Sequence, residues 1–401
     1  TNAPMNDAGI NGDLVADDGV YTAMLPEFGA SPMQDGDILE YRIKATDTIG
    51  TVTFPKVSRS GVLTGPYSYL MKFEDDNCSD CAFQDEYPTF HILLTTANKN
   101  ELQTRPVTSD VLLDGALVTS DGKLYQNCGI RLRGGSSRSS LLGNYRIVLP
   151  HGETYDDLGD VSLNHDYAFN QYLGMTTHYQ ANNGFGSKVT LSRVFLGSEL
   201  KQPVDGIYVR LEPFSDEMVS RLHPNDDPLG NRYSVPEEGT FTGNLAYIDA
   251  NKSSYVLKYM SEINNPYTGF QDLTDLIVAI NQPISTYPTN LSMYMPVAQW
   301  GRHFGIMVML DNQEAGIGSP TSTKGDELKL YARPDGPVEI LPWDMSDVFK
   351  GGLSLYNWSG GGTPLPKILF NRPVISHYLG GAYDVGVNFH SAANLSAQLD
   401  S

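Results

Sequence analysis

Apolar and polar positions alternate with a period near two through much of the first half of the chain, and change to a helical period in the second half. Residues 20–25 and 38–45 read as strands, the second closing through Thr46 on the turn Asp47-Thr48-Ile49-Gly50. Further strand-like runs occupy 51–55, 67–73, 90–94, 109–115, 128–134, 144–149, 189–196 and 206–212. Residues 165–180 and 214–222 read as helices, with Ser215 capping the shorter one. Residues 271–280 form an amphipathic helix stopped by Gln282-Pro283. Residues 296–310 form another, with proline in its first turn and a nearly continuous apolar surface (Phe304, Ile306, Met307, Val308, Met309, Leu310) that predicts burial. A hairpin follows at 328–332 and 338–341, turned by Pro334-Asp335-Gly336. Strands first and helices later predict an α+β fold.

Composition narrows this picture. At 401 residues the chain exceeds one ordinary domain, and its 39 glycines and 24 prolines predict many turns. The expected division is a partial β-sandwich over 1–50, a linker and extended arm over 51–87, and a larger domain over 88–401. A net charge of -20 argues against nucleic acid or an anionic membrane as partner. No apolar run is long enough for a membrane helix. The chain shows no signal peptide and reads as a mature product or a fragment of a larger protein. Cys78 and Cys81 suggest one tight disulfide and Cys128 a leftover thiol, since three dispersed cysteines suit a zinc site poorly. Because the first two strands cannot make a stable domain alone, a neighbouring domain or copy is expected to supply the missing ones.

Three stretches carry candidate chemistry. Asp7, Asn11, Asp13 and Asp18 fall near the ligand positions of a calcium loop with Gly12 at its bend, although Val15 stands at its ninth position and no helices flank it; the alternative is a set of Asx turns. The hairpin across Gly135-Ser136-Ser137-Arg138 combines flexible backbone, hydroxyls and the guanidiniums of Arg133, Arg138 and Arg146, a combination suited to an anion. Third, the hydrophobic approach to Pro342-Trp343 ends in two carboxylates, Asp344 and Asp347, while Asp311-Asn312-Gln313-Glu314 closes the most apolar helix. Oxygen ligands gathered from two segments suit a hard divalent cation. Glu212 ends its strand, where it can pair with a basic group, and His303 reads as a core histidine. No P-loop, dinucleotide fingerprint or serine-hydrolase elbow is present.

Over residues 88–380 the chain resembles the spore coat protein H (CotH) kinase-like family. The resemblance rests on Arg131-Leu132-Arg133-Gly134-Gly135-Ser136-Ser137-Arg138 with Asn144-Tyr145-Arg146, on Gly206-Ile207-Tyr208-Val209-Arg210-Leu211-Glu212, and on Asp311-Asn312 followed by Leu330-Tyr331 and Pro342-Trp343-Asp344. The segments 13–21 and 41–50 resemble the short immunoglobulin- or fibronectin-like modules that precede such domains. The resemblance implies a diverged protein-kinase-like fold and an extracellular or cell-surface, bacterial location. It also implies ATP- and Mg2+- or Mn2+-dependent phosphoryl transfer to secreted or coat proteins. Under it Asp344 is the metal-binding aspartate, Asp311 the catalytic one with Asn312 beside it, and Glu212 orients the phosphate-binding partner. The sequence departs from the family where lysines precede Asn-Tyr-Arg, since Leu141, Leu142 and Gly143 stand there. Arg133, Arg146 and Arg232 are the candidate replacements, with a different geometry. A catalytically inactive structural or binding component of a surface assembly is the competing expectation, and a calcium-stabilised binding module the third.

Overall fold

The computed structural model describes residues 2–10, 13–24, 33–34, 37–54, 68–72, 87–134, 138, 142–197, 199–201, 207–234, 245–256, 258–263, 269–283, 285, 287–312, 329–349, 368 and 372–389. Asn11, Gly12, Cys78, Cys81, Gly135, Ser136, Ser137, Gln313 and Glu314 lie outside them.

The strand expected over 20–25 does not form. Its described part makes a single bridge, Asn6 to Thr22, and leaves Val20, Tyr21 and Met24 exposed. A strand needs a run of paired neighbours, and among the described residues this stretch has only the one bridge to Asn6. The stretch 38–45 splits at Arg42 into β1 (Ile38–Tyr41) and β2 (Ile43–Thr46). β2 pairs with β3 (Thr51–Phe54), and β1 with β4 (Tyr69–Lys72). The β1–β4 ribbon packs Ile38 and Leu70 against Leu93, Ala116 and Val118. The side chain of Gln126 bonds both backbone groups of Leu70, at 3.0 and 2.6 Å.

The strands β5 (Thr89–Leu93), β6 (Leu113–Thr119), β7 (Leu124–Leu132), β8 (Tyr145–Val148) and β9 (Asp160–Asn164) form a meander. β9 then pairs with β12 (Tyr208–Leu211), which lies against β10 (Val189–Leu196); β11 (Glu199–Leu200) extends the edge of β10. β10 bonds β12 through its first half and β5, in parallel, through its second. The seven strands β5 to β10 and β12 therefore close into a ring. Alternation accounts for its core: Cys128, Ile130, Ile147, Val161 and Leu163 point inward, while Arg131, Arg146 and Ser162 between them face out. α1 (Thr96–Thr104) lies at the β5–β6 connection, capped by Thr95.

The second lobe joins a four-stranded antiparallel sheet to helices. The sheet runs β14 (Met260–Glu262), β13 (Asn231–Ser234), β15 (Lys329–Ala332), β16 (Val338–Leu341). The helices are α3 (Asp216–Leu222), α4 (Gln271–Ile280), α5 (Tyr287–Tyr294), α6 (Val297–Met309) and α7 (Arg372–Asp384), the last running into a π-helical turn, Val385–Phe389. Ser215 caps α3 as expected, its hydroxyl accepting the Met218 amide. α6 is the axis of this lobe. Trp300 is fully buried and donates Nε1–H to the Val338 carbonyl at 2.9 Å. Gly301 and Gly305 let α7 approach: a β-carbon on Gly305 would lie 2.0 Å from the Tyr378 carbonyl oxygen.

Between the lobes runs α2 (Ala168–Ala181), slightly shorter than the expected 165–180 at its start. One side, through Ala168 and Tyr172, covers Leu191, Val209 and Leu211 on the outside of the ring. The other gives Met175 and Ala181 to the second core. His178 meets His303 of α6 there, Nε2 to Nδ1 at 3.0 Å, and both rings are buried. His303 is the core histidine its sequence context suggested.

Candidate functional site

α2 covers only part of the outer face of the ring. Beyond it, the face is polar where β9, β8 and β7 present Asn164, Ser162, Arg146 and Arg131, with Arg133 just past the end of β7. The chain leaving β16 turns toward this surface at Pro342-Trp343-Asp344. Arg133, Asn164, Gln171, Met175, Leu211, Trp343 and Asp344 together line a cleft between the lobes.

α2 holds the acidic segment in place. A β-carbon on Gly174 would stand 2.8 Å from that of Met345, so only glycine permits this contact. Asn170 donates to the Ser346 carbonyl at 3.3 Å, and Gln171 Nε2 donates to Asp344 Oδ1 at 3.3 Å. The same oxygen accepts the Ser346 amide at 2.9 Å. No helix starts here: Ser346 and Asp347 form a turn, and Asp344 closes it as an Asx turn rather than as a helix cap. Asp344 (φ 28°) and Asp311 (φ 52°) both occupy left-handed backbone. Such conformations cost about 1–3 kcal/mol each unless local bonds support them.

The two acidic segments converge. After α6 the chain reverses at Asp311, and Asn312, fully buried, donates Nδ2–H to the Asp344 carbonyl at 3.2 Å. The Phe349 amide bonds the Leu310 carbonyl at 2.9 Å. The end of α6 and the turn holding Asp344 and Asp347 thus form one unit, and from it Asp344 lines the cleft together with Arg133. Carboxylate and amide oxygens from Asp344, Asp347 and Asn312 are the donor type that a hard divalent cation takes. Trp343 forms the rim, with Lys329 Nζ 4.8 Å from its ring centroid. The free space between the lining side chains is about 10 Å³, room for a single water.

The arginines are arranged by the β7–β8 ladder, in which Arg131 lies opposite Arg146. Arg146 binds Asp160 at 2.6 Å. Arg131 and Arg138 share one oxygen of Asp110, at 3.0 and 2.9 Å. Burial, and then the charges of Arg146, Arg138 and Arg133, push the Arg131 guanidinium down to about 10, with Asp110 opposing. Asn144 braces the group: its carbonyl accepts the Arg133 amide, and its side chain bonds Asp166 and the His165 amide.

Glu212 is placed elsewhere. It is buried and binds Arg221 of α3 through both oxygens, at 2.8 and 2.5 Å, while accepting the Lys188 amide at 2.8 Å. Arg232 is held by Asp216 at 3.0 Å and by the Phe214 carbonyl at 2.6 Å, on the same side as α3. Near the N-terminus, oxygens of Asp7, Asp13 and Asp18 lie within 4.8 Å of one another, so this group can hold a metal ion. Each carboxylate also accepts backbone amides: Asp7 those of Asp18 and Gly19, Asp13 those of Gly9 and Val15, and Asp18 that of Val20. Cys128 is buried, and its thiol donates to the Tyr125 carbonyl at 3.2 Å. Gln171 and Asn164 went unnoticed in the sequence. The signal available for Gln171 was a polar residue within the buried stripe of a helix, where it needs a partner.

No family profile matches the sequence, and no curated protein sequence does. Among solved structures, the crystal structure of the Helicobacter pylori proinflammatory kinase CtkA is similar at 12% identity over 68% of this chain and 79% of that chain, with a TM-score of 0.27. A likeness of that depth decides neither fold nor activity, and the α+β architecture rests on the strands and helices themselves. No described helix is long and apolar enough to cross a membrane.

Proposed function

We propose that the chain is a diverged, CotH-like kinase domain whose inter-lobe cleft transfers a phosphoryl group from ATP to protein. The observation that carries this reading is the meeting of Asp344 and Asn312, from segments 32 residues apart, opposite Arg133. Phosphoryl transfer needs positioned carboxylates, a divalent cation and positive charge near the phosphates. Asp344, Asp347 and Asn312 would hold Mg2+ or Mn2+, which supplies charge neutralisation when bound. Asp311 would accept the acceptor's proton. Arg133 and Arg146 would face the phosphates. Glu212, through Arg221, would brace β12 against α3. The N-terminal residues 1–50 belong, on this reading, to a sandwich-like module, with Asp7, Asp13 and Asp18 as its Ca2+ site. Other surface or coat proteins outside a bacterial cell would be its partners.

The narrowness of the cleft favours a second reading, an inactive scaffold on a kinase-like frame. Room for one water does not admit a nucleotide unless the lobes part. Calorimetric titration of ATP with and without Mg2+ or Mn2+, repeated on Asp344→Ala, separates the two. Metal-dependent binding lost in the variant supports transfer. No heat at millimolar ATP with either metal leaves the scaffold.

A further inference from the structure

α2 meets the acidic turn at three positions that do different things. Gly174 admits Met345, and Asn170 donates to the carbonyls of Ser346 and Val348, at 3.3 and 3.5 Å. These two contacts already fix the turn against the helix. Gln171 is used otherwise. It is a polar side chain only 1 % exposed, and half of its amide is engaged. Nε2 donates to Asp344 Oδ1 at 3.3 Å, whereas Oε1 is buried and accepts no hydrogen bond. A buried amide oxygen that has given up water without gaining a donor is unfavourable, and such an atom in a cleft marks a place for a ligand.

Gln171 belongs to the lining of the cleft, where about 10 Å³ is free. Arg133, Asn164 and Trp343 of the same lining carry donors, yet none of them donates to Oε1. Asn164 Oδ1 accepts the Asp166 amide at 3.2 Å, and Asp344 Oδ1 accepts both Gln171 and the Ser346 amide. Gln171 Oε1 and Asp344 Oδ2 are thus the lining side-chain oxygens with no donor among the described residues. A carboxylate oxygen and a side-chain amide oxygen are ligand types of a hard divalent cation. Arg133 carries the same sign of charge as such an ion, so an anion lying between the two, such as a chain of phosphates, strengthens the binding of the ion.

We propose that Gln171 is a ligand of a divalent cation in this cleft, its Oε1 contacting the ion beside Asp344 Oδ2 while its Nε2 fixes the carboxylate through Oδ1. One ligand then comes from α2 and one from the chain leaving β16, and the ion ties the helix between the lobes to the acidic turn. That the ion serves phosphoryl transfer rests on the transfer reading; that Gln171 holds it does not.

The test is titration with Mn2+ followed by electron paramagnetic resonance, with and without tripolyphosphate. The component of binding lost in Asp344→Ala belongs to the cleft; Asp7, Asp13 and Asp18 account for Mn2+ that stays bound. Gln171→Met, which keeps the length of the side chain and removes its oxygen, weakens the cleft component on the order of tenfold or more. Gln171→Glu, which keeps an oxygen and adds charge, tightens it beyond wild type. A purely positioning role for Nε2 gives the reverse order, because Gln171→Glu sets a second carboxylate against Asp344. Thermal melting by circular dichroism checks that each variant folds, and Mn2+ raises the melting temperature of Gln171→Glu more than that of wild type. A wild type with no Asp344-dependent component, with or without tripolyphosphate, overturns the proposal. So does equal affinity in wild type and Gln171→Met, or weaker binding by Gln171→Glu than by Gln171→Met. A Gln171-dependent Mn2+ site without any ATP heat retains the ligand and removes only the transfer reading. Asp344-dependent ATP heat that is unchanged in Gln171→Met does the opposite.

Discussion

Acid should unfold this protein partly through two histidines in its interior. His178 and His303 join α2 to α6, Nε2 to Nδ1 at 3.0 Å, with no carboxylate in the contact. Burial, helped by the charge of Arg302, holds His178 down to about 3, and burial lowers His303 in the same direction. In the unfolded chain a histidine titrates near 6.5. The unfolded state therefore takes up the proton first as pH falls. The contribution of the pair is complete above about pH 6.5 and is lost progressively below it, toward the folded value. At pH 4.5, about two units below the unfolded pKa, His178 alone costs about 3 kcal/mol at roughly 1.4 kcal/mol per unit. His303 adds to this. The assay is urea unfolding at pH 7.5, 6.0 and 4.5, followed by tryptophan fluorescence, since Trp300 is buried one helical turn from His303. Surface carboxylates also titrate, so the comparison is with His178→Gln/His303→Gln, which keeps a hydrogen-bonding pair without the titration. The wild type should lose at least about 3 kcal/mol more than the variant between pH 7.5 and 4.5, His178 alone accounting for that much. Equal losses would refute the reasoning.

Other substitutions test the packing and the buried charges. Gly305→Val should destabilise by about 3 kcal/mol or more, because the Tyr378 backbone in its way cannot swing aside; a thermal melt that matches wild type would contradict the close α6–α7 contact. Arg221→Met should cost about 3–5 kcal/mol by leaving Glu212 buried and unpaired, and adding Glu212→Gln should recover much of it, read from denaturant midpoints. Gly174→Leu should displace Met345 and with it Asp344, abolishing any metal-dependent nucleotide heat while α2 remains helical by circular dichroism.

The sequence by itself determined what depends on neighbours along the chain. The helix 271–280 with its Pro stop, the Ser215 cap and the 328–341 hairpin are local periodicities and turn chemistries, and all three form. Asp311, Asn312 and Asp344 stood out as acidic and amide residues following apolar runs, and the structure joins Asn312 to the Asp344 carbonyl. Strand 20–25 failed because alternation predicts a strand only where another strand lies beside it. Tertiary structure alone decided the rest. The parallel pairing of β5 with β10 closes the ring across about a hundred residues and leaves no local period to read. Gln171 reaches Asp344 across 173 positions, and Glu212 turns to Arg221 rather than toward the cleft. Which arginine faces the cleft and which faces Asp110 was set by the β7–β8 register and the position of Asp110. Pairings between distant segments are fixed by packing and charge once the chain has collapsed, and a linear pattern carries no record of them.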